Sequence, residues 1–258
     1  MSIKTVVIAW GMVLYSVLST IGAFAQKKEE TKMKLIYVMD AQCGWCYGNG
    51  FNMASIYQEF QGDYDFEFIN GGMWLGNQAP TAGSQISSYI QSHLPRFESY
   101  TGIIVSNEYK SLIKDSDYVM SSLEPSAAIV LSKKLAPDHV FEFAKEVQLA
   151  LFDRGMRLNE FETYLPILEK FDIDPKEFKS QWLSEENLKA TYAEFQSIQG
   201  VVNGFPALIL EANGQKQLLA SGYFQLDAMR KALTELKQQE KTAVKADGAS
   251  CEIGEDCD

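Results

Sequence analysis

Tyr37-Val38-Met39-Asp40-Ala41-Gln42-Cys43-Gly44-Trp45-Cys46-Tyr47-Gly48 is the stretch on which the fold turns. It joins a short apolar run, Lys34 to Met39, to a pattern of helical periodicity that continues to about Phe60. Strand, Cys-x-x-Cys, helix is the order a redox dithiol needs. A helix beginning at Cys43 aims unpaired N–H groups and the positive end of its dipole at that sulfur. This favours thiolate over thiol and makes Cys43 the nucleophile. Two intervening residues return Cys46 to the same face, within disulfide reach. The motif alone is also half of a zinc site, so the rest of the chain has to decide.

Downstream, Tyr64 to Asn70 alternates as a second strand and ends at Gly71-Gly72. Together these segments make a β–α–β unit with parallel strands. From Thr81 to Leu183 the periodicity is helical, with candidate helices at 84–94, 107–118, 125–135, 139–154 and 158–170. Asp174-Pro175 reads as an N-cap followed by a proline at the first helical position. A further helix runs from Ser184 to about Gln199. Strands return at Ala207–Glu211 and Gln217–Ser221, flanking the hairpin turn Ala212-Asn213-Gly214-Gln215. Leu226 to Gln239 is amphipathic, with Leu226, Met229, Leu233 and Leu236 at helical spacing. From Glu240 onward the chain is charged and reads as a flexible tail. The two outer pieces, β–α–β and β–β–α, each lack what the other supplies, and together they form a four-stranded sheet.

Lys4, the apolar run 5–21 and Ala23-Phe24-Ala25 read as a secretory signal cleaved before Gln26, in preference to a membrane anchor formed by residues 5–21. Residues 26–33 are then a polar linker. All four cysteines, Cys43, Cys46, Cys251 and Cys257, follow the signal and meet an oxidising, periplasmic compartment. The mature chain is long enough to bury a core without staples, so the first pair reads as catalytic. A net charge of −11 argues against nucleic acid and against an anionic membrane surface.

In these features the chain resembles the DsbA family of disulfide oxidoreductases. The resemblance rests on the strand running into Cys43-Gly44-Trp45-Cys46-Tyr47-Gly48, on the helical insertion, and on Gly204-Phe205-Pro206-Ala207-Leu208 just before the hairpin. Cys-x-Trp-Cys-Tyr-Gly with the later Gly-Phe-Pro looks closest to the FrnE-like branch. The resemblance implies an α/β thioredoxin fold in 34–75 and 200–239, with a helical domain, 76–199, inserted between the two halves. It implies a cis peptide bond at Pro206, facing the dithiol, and a Phe205 backbone on which an extended substrate pairs as an added strand. Trp45 reads either as an apolar platform for substrate or as helix packing, and Trp74 as core or groove. The implied activity is thiol–disulfide exchange, as oxidase or isomerase, on cysteine-containing unfolded or extended polypeptides. A separate redox partner recharges the dithiol; no cofactor or metal is required, and the expected state is a monomer.

The sequence also departs from the family pattern. Thioredoxin-type relatives carry a buried carboxylate six residues before the first cysteine, where this chain has Tyr37. Glu67 is a candidate replacement but reads as a solvent-facing strand residue, and Asp40 reads as a loop residue. The intervening pair, Gly44-Trp45, lacks the histidine of the strongest oxidants, which implies a milder one. The pair Cys251 and Cys257 is open to three readings: a relay to Cys43 on a tail long enough to reach it, a local disulfide, or a weak metal clip. Other classes are a zinc site built from all four cysteines and a redox-inactive peptide-binding chaperone using the same groove. His93 and His139 read as surface histidines.

Overall fold

The computed structural model describes residues 33–249. The signal segment, most of the linker, and Cys251 and Cys257 lie outside the described residues.

The β-like runs form a mixed four-stranded sheet in the order β2-β1-β3-β4, from β1 (Lys34–Met39), β2 (Asp65–Asn70), β3 (Ala207–Ala212) and β4 (Gln215–Ser221). β1 pairs in parallel with β2 from Lys34↔Asp65 to Met39↔Asn70. It pairs antiparallel with β3, Val38 facing Ala207. Asn213 (φ 52°) and Gly214 (φ 74°) both take the left-handed conformation that a two-residue hairpin loop demands, so β3 returns directly as β4. The period of two then separates the faces. Leu35, Tyr37, Met39, Leu208 and Leu210 join the main core. Ile36, Val38, Ile69, Ala207 and Ile209 form a smaller one on the other face, closed by Ile198.

α1 (Gly44–Phe60) carries the dithiol and buries Met53, Ile56 and Phe60 against the sheet. α9 (Leu226–Ala249) packs beside it through Met229 and Leu233. Seven helices lie between β2 and β3 in sequence: α2 (Gln85–Thr101), α3 (Asn107–Leu112), α4 (Leu123–Leu135), α5 (Val140–Phe152), α6 (Leu165–Lys170), α7 (Pro175–Trp182) and α8 (Glu185–Ser197). Ring packing knits this block together. Phe143, Phe178, Tyr164 and Trp182 are buried in mutual contact, and the Trp182 indole N–H donates to the Glu124 carbonyl at 2.8 Å. The block docks on the redox helix. Tyr47 stacks on Phe152 at 4.8 Å, and Phe97 lies so close to Gly48 that a Cβ there would stand 2.9 Å from its ring.

Several element ends differ from the sequence expectation. α2 runs through Pro95 to Thr101 rather than stopping at Leu94. The proline removes one ladder bond, but Phe97 beyond it seats on Gly48, and that packing holds the helix on course. The helix expected over 107–118 ends at Leu112, where Ile113 caps it and Asp115 takes the Asp117 N–H at 3.0 Å. The one expected over 158–170 is confined to α6, opened by Pro166 in its first turn. Asp174 and Ser184 act as the expected N-caps of α7 and α8.

The flexible tail placed at 240–258 begins too early, because α9 continues ten residues past Gln239, to Ala249. α9 also has a direction. The Phe224 N–H donates to Asn49 Oδ1 at 3.3 Å and Asn52 Nδ2 to the Phe224 carbonyl at 2.8 Å. Arg230 pairs with Glu59, the Tyr64 hydroxyl bonds the Leu233 carbonyl, and Lys237 pairs with Asp63. The helix therefore follows α1 from its middle to its C-terminal end, away from Cys43. It then extends about 18 Å further at 1.5 Å per residue.

Candidate active site

β1 ends at Met39, and Asp40-Ala41-Gln42 turns the chain into α1, with the Cys43 N–H bonded to the Asp40 carbonyl at 3.1 Å. Cys43 is the N-cap. Its extended backbone (φ −83°, ψ 114°) lets Sγ accept the Cys46 N–H at 3.2 Å, which satisfies one of the helix's orphan donors with sulfur. No acidic residue stands in the first turn to oppose charge on that sulfur. Cys43 is 6% exposed and opens onto a groove, whereas Cys46 is fully covered; both are free thiols. Burial pushes the Cys46 thiol well above its ordinary value of 9.0, and the hydrogen bond to Cys43, the charge on Cys43 and the charge on Asp40 push it the same way. The two sulfurs are thus unequal: Cys43 can be reached, and Cys46 behind it keeps its proton.

The β1–β3 register carries Phe205 and Pro206 to the same end of the sheet as Cys43. The Phe205–Pro206 bond is cis, as the resemblance implied. The Phe205 carbonyl accepts from the Cys43 thiol at 3.6 Å. The Phe205 ring covers Gly71, where a Cβ would lie 2.4 Å from it. Pro206 itself is buried, with its carbonyl taking the Gly222 N–H at 2.7 Å, so the residue offered to the groove is Phe205.

That groove encloses about 250 Å³ between the start of α1, the 73–74 loop and α2. Cys43, Trp45 and Phe205 line it, so three of the expected site residues meet. Trp45 lines the groove and packs edge-on against Phe97 (5.5 Å) and Tyr100 (6.1 Å). Trp74 also lines the groove. The far wall is α2, through Ile86, Tyr89, Ile90, His93 and Phe97. His93 is exposed, as a surface histidine, and it also borders the groove. Its Nδ1 donates to the Tyr89 carbonyl at 2.8 Å, which leaves Nε2 free. The spacing 86, 89–90, 93–94, 97 is one stripe of a helix, and it was the only sequence signal for this wall.

The carboxylate that the motif lacked is present at another position. Asp40 lies in the loop after β1, as expected, but it has no exposed surface. Its carboxylate accepts from the Gln42 N–H (2.9 Å), the Met73 N–H (2.7 Å) and the Ser122 hydroxyl (3.0 Å). Burial raises its pKa, and these donors act against that rise. Tyr37, where the family has its acid, is a buried phenol raised well above 10.0 by burial and then by the two cysteines. Glu67 pairs with Lys34 at 3.3 Å on the surface. Among the described residues no group of three or more His, Cys, Asp or Glu could hold a metal ion.

No protein-family profile matches the chain, and neither does any curated protein sequence. Solved structures do. A protein from Nitrosomonas europaea described as a disulfide isomerase superposes with a TM-score of 0.72 at 23% identity, over 81% of this chain and 98% of that one. The cytosolic disulfide reductase DsbM from Pseudomonas aeruginosa gives 0.66 at 27%, over 80% and 99%. A DsbA oxidoreductase of Streptomyces coelicolor gives 0.59 at 12%, over 79% and 89%. These three neighbours are named for disulfide isomerase, reductase and oxidoreductase activity, another is a 2-hydroxychromene-2-carboxylate isomerase, and the chain shares their fold, a thioredoxin fold with a helical insertion.

Proposed function

We propose that this protein is a thiol–disulfide oxidoreductase of the DsbA type that works through Cys43 and Cys46 on cysteine-bearing polypeptides. One observation carries the reading: a cysteine at a helix N-cap opens onto an apolar groove while its C-x-x-C partner is sealed behind it. In the oxidising direction a substrate thiolate attacks Cys43 Sγ of the Cys43–Cys46 disulfide. The S–S bond breaks, its electron pair leaves on Cys46, and Cys46 takes up a proton. A second substrate thiolate then attacks the substrate sulfur, which forms the substrate disulfide and releases Cys43. In the reducing direction the Cys43 thiolate opens a substrate disulfide and Cys46, once deprotonated, resolves the mixed species. Both directions use the same atoms, and a partner dithiol or disulfide returns the pair to its starting state. Phe205 and Trp45 flank Cys43 and offer an extended substrate a backbone carbonyl and an apolar face.

Export to the periplasm is part of the proposal. It is supported by Lys4, the apolar run 5–21 and Ala23-Phe24-Ala25. Among the described residues no helix is long and apolar enough to cross a membrane. The test is insulin reduction with excess dithiol. The wild-type protein accelerates precipitation of the insulin B chain, and Cys43→Ser removes the acceleration. A Cys43→Ser protein as active as wild type refutes the proposal.

A further inference from the structure

Asp40 is bonded to residues near and far in sequence: Gln42 and Met73 border the groove, and Ser122 holds Trp74, which also borders it. Its carboxylate takes the Gln42 N–H, one residue before Cys43, the Met73 N–H, 33 positions on, and the Ser122 hydroxyl, 82 positions on. Ser122 Oγ in turn accepts the Trp74 N–H at 3.0 Å, and the Ser122 N–H donates to the Trp74 carbonyl at 2.8 Å. Gln42 extends the network, its amide donating to the Tyr118 hydroxyl and the Ser121 carbonyl, each at 2.9 Å. Asp40 has no solvent contact, its carbonyl takes the Cys43 N–H at 3.1 Å, and toward the Cys46 sulfur its backbone favours the thiolate while its charge opposes it.

We propose that Asp40 is the positioning residue of the redox pair: one buried carboxylate that clamps the Cys43 loop to the groove wall and sets the charge Cys46 faces. The inference rests on the proposed function and names a residue that function does not require. The Asp40 anion opposes a second negative charge at Cys46 and so favours the disulfide over a pair carrying thiolate. Removing the charge stabilises the reduced form and makes the protein a stronger oxidant. Tyr37 from β1 acts on both cysteines and Tyr109 from α3 on Cys43, both buried phenols that stay neutral, and His93 from α2 faces Cys43 across the groove. The nearest polar side chains from α5 and from the start of α4, Gln148 and Ser122, carry no charge.

The test compares Asp40→Asn with Ser122→Ala, which removes one donor but leaves the charge. The Cys43–Cys46 equilibrium is measured in glutathione buffers, alongside the thiolate absorbance against pH. Asp40→Asn is expected to move the equilibrium at least about tenfold toward the reduced form, about 30 mV for a two-electron couple, and to lower the pH at which Cys46 ionises. Ser122→Ala, whose effect is structural, is expected to change the equilibrium less than about threefold. An Asp40→Asn protein with wild-type equilibrium and pH profile overturns the inference, as does Ser122→Ala moving both equally. A measurement on the wild type covers the case in which Asp40→Asn does not fold. The carbon-13 shift of the Asp40 carboxyl is expected to move with the same midpoint as Cys46 ionisation, and a shift that stays flat overturns the inference. A wild-type pair that exchanges normally beside an unchanged Asp40→Asn removes this inference alone. A wild-type pair that does not exchange removes the proposed function and the inference together.

Discussion

Gly71→Ala perturbs the site without touching a cysteine. Gly71 follows β2, and a Cβ built on it meets the Phe205 ring at 2.4, 2.5 and 2.9 Å. Ordinary contact begins near 3.4 Å, so the ring must move by about 1 Å. Two responses are open to it. The Phe205 backbone is tied through the Gly222–Pro206 bond and the start of β3, so a rotating ring gives up its contacts with both cores. If the backbone moves instead, it withdraws the carbonyl that faces Cys43. Overpacking of this kind costs about 1–3 kcal/mol, or about 2–12 °C in Tm for a chain of this size. Displacement of the carbonyl or ring also removes part of the substrate surface, with an expected loss in kcat/KM for peptide–disulfide exchange of about tenfold, the equivalent of 1.4 kcal/mol. Calorimetry and a stopped-flow exchange assay read the two effects separately. Phe205→Ala in the Gly71→Ala background removes the clash, so the two substitutions together are expected to destabilise by less than the sum of the singles. Wild-type Tm and rate in Gly71→Ala, or strictly additive losses in the double variant, refute the seating of Phe205 on Gly71.

The remaining expectations concern protons and the chain terminus. Because burial raises Cys46 in the folded protein, the folded state holds that proton more tightly than the unfolded state does. Its stabilising contribution is complete below pH 9.0, the ordinary thiol value, and is lost as pH rises through the folded value. Urea midpoints of the reduced protein should therefore fall as pH rises above about 9, while those of the oxidised protein stay level until tyrosines titrate; parallel curves contradict the assignment. α9 runs about 35 Å from Leu226 to Ala249, away from Cys43, and the chain from there spans at most about 7 Å to Cys251 and about 28 Å to Cys257. A relay from Cys251 and Cys257 to Cys43 within one molecule is thus expected not to operate. The Cys251→Ser, Cys257→Ser double variant should turn over at the wild-type rate with excess oxidant, and slower turnover restores the relay.

The readable parts of the sequence were those whose cause is local. Cys43 caps a helix because its own sulfur reaches the Cys46 N–H three residues on, and Asn213-Gly214 turns a hairpin because both residues accept positive φ. Asp174 and Ser184 open their helices by the same short reach. The parts that could not be read are held from afar. Asp40 looks like a loop acid until Met73 and Ser122 arrive to bury it. His93 shares a groove with Cys43 because α2 packs across α1 through Gly48 and Phe97, and Pro95 hid the length of α2 that makes this contact, while Trp74 is brought there by the bonds of Met73 to Asp40 and of Trp74 to Ser122. The end of α9 was missed because its polar composition gives no apolar stripe beyond Leu236.

The central claim is that Cys43 is the sulfur that reacts and Cys46 the one that resolves, and trapping tests it most directly. Cys46→Ser is mixed with a cysteine peptide activated as a nitrothiobenzoate disulfide, and the adducts are located by mass spectrometry. The account predicts a lasting peptide–Cys43 disulfide in Cys46→Ser, rapid release of that adduct in the wild type, and labelling of Cys46 in Cys43→Ser at least about tenfold slower. Equal labelling of Cys46 in Cys43→Ser, or no adduct on Cys43 at all, contradicts it.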